Sequence, residues 1–114
     1  MADIATPDSN YSTVDAYDTS LTRTTASSLS VARYNMVSIT VGNYALFAGG
    51  YSSSGFISYS TVDAYDTSLT RTTASSLSTI RGNLAATNIG NYALFGGGEN
   101  YSAYLSIVDV YKCD

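Results

Sequence analysis

A block of twenty residues occurs twice, without a single difference, in a chain of only 114. Residues 11–30 and 59–78 both read YSTVDAYDTSLTRTTASSLS. A second pair keeps the same step: 41–50 reads VGNYALFAGG and 89–98 reads IGNYALFGGG, so both pairs lie 48 positions apart. A fixed period in this range marks a repeat architecture, in which one supersecondary unit cannot bury its own face and needs neighbours. Identity over twenty positions points to a recent internal duplication. The fold must therefore accept the same segment twice in equivalent surroundings.

The repeated unit is built from strand and turn formers. Charged residues supply 12% of the chain, about half the usual share of roughly 25%, and Ser, Thr, Tyr, Asn and Gly fill the gap. Hydroxyls and aromatics suit a pleated, half-buried surface, while good helix formers are scarce. Residues 12–17 alternate, with Val14 and Ala16 on one face and Asp15 and Tyr17 on the other. Asp18, Thr19 and Ser20 supply a turn, and 21–26 is a Thr-rich strand. Residues 35–41 read as an apolar strand, Gly42 and Asn43 as a tight turn, and 44–48 as a strand stopped by Gly49 and Gly50.

The second pass predicts strands over 59–65, 69–74, 83–89 and 92–95, and 106–111 (SIVDVY) repeats the STVDAY strand once more. Nine closely spaced strands with turns between them predict an all-β fold of antiparallel hairpins. Residues 1–10 match nothing else and read as a leader or an edge segment. Residues 11–114 then form one repeat domain, divided into 11–58, 59–105 and a partial third set, 106–114.

Four short strands per unit, a Gly-Gly stop and a Tyr before an Asp turn resemble the kelch motif of β-propellers. The elements that carry the likeness are Gly49-Gly50 and Gly97-Gly98, with Tyr17 and Tyr65 ahead of Asp18 and Asp66. The resemblance implies about two four-stranded antiparallel blades per chain. It also implies a Trp where Thr24 and Thr72 stand; the chain has no Trp, so its packing role is expected to fall to Leu29 and Leu77. Leu46 and Phe47 would point to opposite faces of a strand, each toward a different neighbouring blade.

Propellers close with four to eight blades, so about two cannot close alone. The expected partner is the chain itself, as a trimer or tetramer giving six or eight blades, with the outer strand missing at one end drawn from 21–26 of the next copy. Both ends then supply a 12–17-type strand, which is one too many at each junction.

Chemistry is expected to be absent. With no histidine in the chain, Ser-His-Asp triads, Cys-His dyads and the usual zinc sites are excluded, and neither cofactor nor metal is implied. Asp15 with Asp18, and Asp63 with Asp66, form D-x-x-D pairs that read as turn caps rather than cation ligands. Cys113 is the lone cysteine, so no internal disulfide can form. Nine carboxylates against five scattered cations argue against nucleic acid, and no apolar run approaches the roughly 20 residues that cross a bilayer. The sequence predicts a soluble chain of no defined compartment.

The two copies diverge in two loops: 31–34 against 79–82, and 51–57 against 99–105. In an up-and-down blade both emerge on one face, placing Tyr34, Tyr51, Phe56, Tyr101 and Tyr104 there. Such aromatics among Ser, Gly and Asn have the composition of adaptable binding loops for a protein or glycan. Arg33 and Arg81 precede equivalent apolar strands and are candidates to pair with ligand carboxylates, or alternatively to bond nearby carbonyls or an Asp. The competing reading is a purely structural, engineered or truncated propeller fragment whose only activity is self-assembly.

Overall fold

The computed structural model describes residues 10–52 and 57–113. Among them the chain is all β, with no helix. The strands are β1 (Asp15–Tyr17), β2 (Arg23–Thr25), β3 (Val37–Val41), β4 (Tyr44–Ala48), β5 (Val62–Tyr65), β6 (Arg71–Thr73), β7 (Ala85–Ile89), β8 (Tyr92–Gly96) and β9 (Val108–Lys112). They pair antiparallel in sequence order as three sheets, β1-β2, β3-β4-β5-β6 and β7-β8-β9.

The strands are shorter than the sequence pattern implies, and the reason is local. Leu21 and Leu69, expected inside strands, have φ of 64° and 65° because each closes the Asp turn before it. The Leu21 N–H donates to the Asp18 carbonyl at 2.9 Å, and Asp18 Oδ1 accepts from the Ser20 and Thr22 N–H groups. Asp66 repeats this with Ser68 and Thr70. These bonds, that from the Ser hydroxyl first, hold both carboxyls below their ordinary value. Asn35 and Asn83, with φ of 56° and 53°, likewise end before the apolar strands begin; Asn is among the few side chains that tolerate this region. The β3–β4 turn places Gly42 at φ 55° in its first central position, as a two-residue II′ hairpin requires.

Alternation along the strands sends side chains to two separate cores. Leu46, Ala48, Val62 and Ala64 of the four-stranded sheet pack with Leu77, Leu84, Ala93 and Phe95 of the following segment. On the opposite side, Tyr65 packs with Ala26 and Leu29, with Val14, Met36, Ala45 and Phe47 against them. Leu46 and Phe47 thus serve different neighbours, and Leu29 and Leu77 are both buried between sheets.

A repeated latch joins the second and third sheets each to the segment before it. The Tyr65 hydroxyl donates to the Ser27 carbonyl at 2.7 Å, and the Ser30 N–H donates to Asp63 Oδ2 at 3.0 Å. One period later, Tyr111 donates to the Ser75 carbonyl at 2.6 Å and the Ser78 N–H to Asp109 Oδ2 at 2.9 Å. Burial, with the nearby Asp109 charge second, pushes the Tyr111 hydroxyl up to about 12.

This gives a signed pH dependence. A phenol whose folded pKa lies above its unfolded value of about 10 lets the unfolded state lose its proton first. The stabilisation is complete below pH 10 and drains away as pH rises toward 12. Tyr111→Phe should be less stable than wild type at pH 7 by about 1 kcal/mol for the lost bond, and its stability should fall less steeply over that window. Urea midpoints at pH 8, 10 and 11.5 read both effects.

Candidate functional site

Arg33 and Arg81 do not face a ligand; the structure takes both into the interior. Arg33 Nε donates to the Gly49 carbonyl at 2.6 Å, and its terminal nitrogens reach the Val31 and Phe47 carbonyls and Asp63 Oδ2. Arg81 donates to the Gly97, Ile107 and Phe95 carbonyls and to Asp109 Oδ2 at 2.9 Å. Both arginine side chains are fully buried. A planar guanidinium with five donors fits such a ring of acceptors, so each arginine ties the double-glycine stop of one strand to the Asp of another. Both arginines thus take the second of the two roles open to them, bonding nearby carbonyls and an Asp.

Asp63 is fully buried against Arg33, and Asp109, 17% exposed, is bonded to Arg81, so both carboxylates already serve these guanidinium groups. Among the described residues no group of three or more His, Cys, Asp or Glu is placed to hold a metal. No helix among them is long and apolar enough to cross a membrane.

The double glycines act by close approach. A Cβ on Gly49 (φ 72°) would sit 2.5 Å from the Arg81 carbonyl oxygen, and one on Gly50 (φ 109°) 2.7 Å from that of Tyr34. Gly97 and Gly98 have the same φ signs. Yet a Cβ on Gly97 would meet nothing nearer than the Leu105 oxygen at 3.8 Å, since among the described residues no sheet packs on that side of the third one.

Three of the aromatic loop residues do converge. Tyr34, Asn35, Tyr51, Asn83, Glu99, Asn100 and Tyr101 line a polar cleft of about 380 Å³. Tyr51 is its centre, with ring centroids 5.6 Å from Tyr34 and 6.4 Å from Tyr101. Its hydroxyl donates to the Glu99 carbonyl at 3.1 Å, and backbone bridges tie Tyr34 to Tyr51 and Tyr51 to Ser58. Burial, then the Glu99 charge, raises the Tyr51 phenol above its ordinary value. Glu99 Oε2 accepts from Asn83 Nδ2 at 3.0 Å. Tyr104 is not in the cleft: it bridges to Glu99 through its backbone and is 89% exposed. Phe56 lies outside the described residues.

The cleft exists because the two copies differ there. Position 82, the equivalent of Tyr34, is Gly, and a Cβ on Gly82 would fall 2.4 Å from the Tyr51 ring. Tyr51 lies over that glycine and reaches the loop of the next sheet. Asn83, Glu99 and Asn100 were missed as site residues by the sequence reading. The differences at 34/82 and 51/99 were the signal, since a departure from an otherwise close repeat has a local cause. An apolar cleft of about 400 Å³ lies elsewhere, between the second and third sheets, and includes Leu46, Ala64, Tyr111 and Cys113.

No protein-family model matches this sequence, and no curated protein matches it significantly.

Proposed function

We propose that this chain is a non-enzymatic repeat scaffold that assembles with its own copies into a closed, kelch-like propeller, and that it binds protein or glycan through the tyrosine cleft. The carrying observation is a mismatch between equivalent faces. Val62 and Ala64 of β5 are 0% and 5% exposed against the third sheet, while their repeat mates Val108 and Val110 of β9 are 58% and 56% exposed. Ile89, the mate of buried Val41, is also exposed. An apolar face built to be covered, and covered one period earlier, calls for another sheet. Each copy contributes two sheets' worth of strands, so three or four copies give six or eight blades.

Sedimentation equilibrium tests the assembly. The expected mass is three or four times 12.0 kDa, dissociating at low concentration; a folded monomer at all concentrations overturns the reading. For the cleft, a glycan array or peptide display on wild type identifies a ligand. Tyr101→Ala, at an exposed ring, should then weaken it about tenfold, or ~1.4 kcal/mol, with the mass unchanged. Absence of any ligand would leave the assembly alone, as an architectural repeat.

A further inference from the structure

We propose that the outer edge of β9, along Asp109, Val110 and Tyr111, is covered by β2 of a second copy of this chain, and that this copy gives up its own β1 to make room. The proposal rests on the self-assembly reading above and specifies its contact. In the second sheet, β6 covers the edge of β5 with Thr73 opposite Asp63, Thr72 opposite Ala64 and Arg71 opposite Tyr65. In the third sheet, β9 carries the matching Asp109, Val110 and Tyr111 and, among the described residues, no strand lies on its outer edge. The chain holds one other segment of the required sequence: β2, Arg23-Thr24-Thr25, is identical to β6.

Charge favours the same occupant. Asp63 faces two guanidinium groups, Arg33 at 3.1 Å and Arg71 of β6 at 4.0 Å. Among the described residues, Asp109 has only the first of these, supplied by Arg81. Seated on β9, β2 would bring Arg23 as the second.

Little movement is needed. The link after β2 is already latched to the second sheet as the link after β6 is latched to the third, through Tyr65 and Ser30 in one case and Tyr111 and Ser78 in the other. β2 therefore already stands where the outer strand of an incoming third sheet belongs, and β1 occupies the place of that sheet's β9. Of the two competing strands, β1 is held by three residue pairs to β2, whereas β9 is held by five to β8. Exchanging β1 for β9 replaces three pairs with three of the same register. Ejecting β9 would break five. A two-stranded ribbon is marginal on its own, so β1 is the strand that yields. The surplus strand in the sequence thereby gains a role: it protects the edge of β2 until a partner arrives.

The test uses Thr24, which faces Ala16 within one chain and would face Val110 of the second copy after exchange. Directly paired residues in an antiparallel ladder have Cα atoms about 4.5–5.5 Å apart, within disulfide range. All variants carry Cys113→Ser to remove the native thiol. First, Thr24→Cys and Val110→Cys chains are mixed and mildly oxidised; a disulfide-linked heterodimer is expected, with neither chain forming it alone. Second, Ala16→Cys/Thr24→Cys staples β1 to β2. When oxidised, this variant should sediment as a 12.0 kDa monomer, and reduction should restore the assembly. If the stapled chain still assembles and the mixed pair fails to cross-link, strand exchange is wrong while self-assembly stands. If the Cys113→Ser parent is monomeric throughout, both fall.

Discussion

Asp63→Ala should remove about 3–5 kcal/mol of stability, the usual cost of breaking a buried pair from one side. The Arg33 and Asp63 side chains are both fully buried, so the substitution strands a guanidinium in the interior. It also removes the acceptor that orders Ser30 from the preceding link, which bonds Asp63 Oδ2 through both N–H and hydroxyl. Against a total of roughly 5–15 kcal/mol for a domain, such a loss leaves much of the population unfolded at 37 °C. The repeat supplies its own controls, because the VD-Y aspartate occurs three times. Asp109 is 17% exposed and bonded to Arg81, so Asp109→Ala should cost less. Asp15 pairs with Arg23 at 3.7 Å, both side chains about half exposed, and Asp15→Ala should stay within about 0.5 kcal/mol. Urea unfolding followed by near-ultraviolet circular dichroism should rank the three as 63, 109, 15. A flat ranking would show that the guanidinium ties contribute nothing to the fold.

The sequence disclosed this architecture more readily than its interior chemistry, and the difference has a physical basis. Strand order and pairing follow from alternation and turn residues, which act locally; Gly42-Asn43 and Asp18-Thr19-Ser20 sit where they were expected. The strand ends at Leu21 and Asn35 were misjudged because a positive φ at a non-glycine residue is set by turn hydrogen bonds and leaves no hydropathy signal. The role of Arg33 and Arg81 was undecided in sequence, since an arginine before an apolar strand serves a ligand or a ring of carbonyls equally well. Only the meeting of the double-glycine carbonyls with Asp63 or Asp109, 30 and 28 residues away, decides it. The tyrosine cleft was legible in part. Divergence between copies marked both loops, but not that the missing side chain at Gly82 makes room for Tyr51, nor that Tyr104 stands apart.

Phe95→Ala and Phe47→Ala are the same change at equivalent places in the repeat, and their costs should differ in a way that depends on protein concentration. Phe95 is 0% exposed, packed edge-on to Tyr111 at 5.4 Å within the core between the second and third sheets. Its truncation should cost about 3–5 kcal/mol, with little chance for the site to collapse around the gap. Phe47 makes the matching contact with Tyr65 at 5.7 Å but is only partly buried, because β1 and β2 bring no inner strands to cover it. In dilute solution, Phe47→Ala should therefore cost about half as much or less. If copies associate as proposed, an incoming third sheet would cover this face as the chain's own second sheet covers Phe95. The Phe47→Ala cost should then rise toward that of Phe95→Ala, since an associating partner stabilises by mass action only a chain able to receive it. Denaturation of both variants at two protein concentrations tenfold or more apart reads this directly. A Phe47→Ala penalty that stays small and constant would mean that this face is never covered, and the case for assembly through it would be lost.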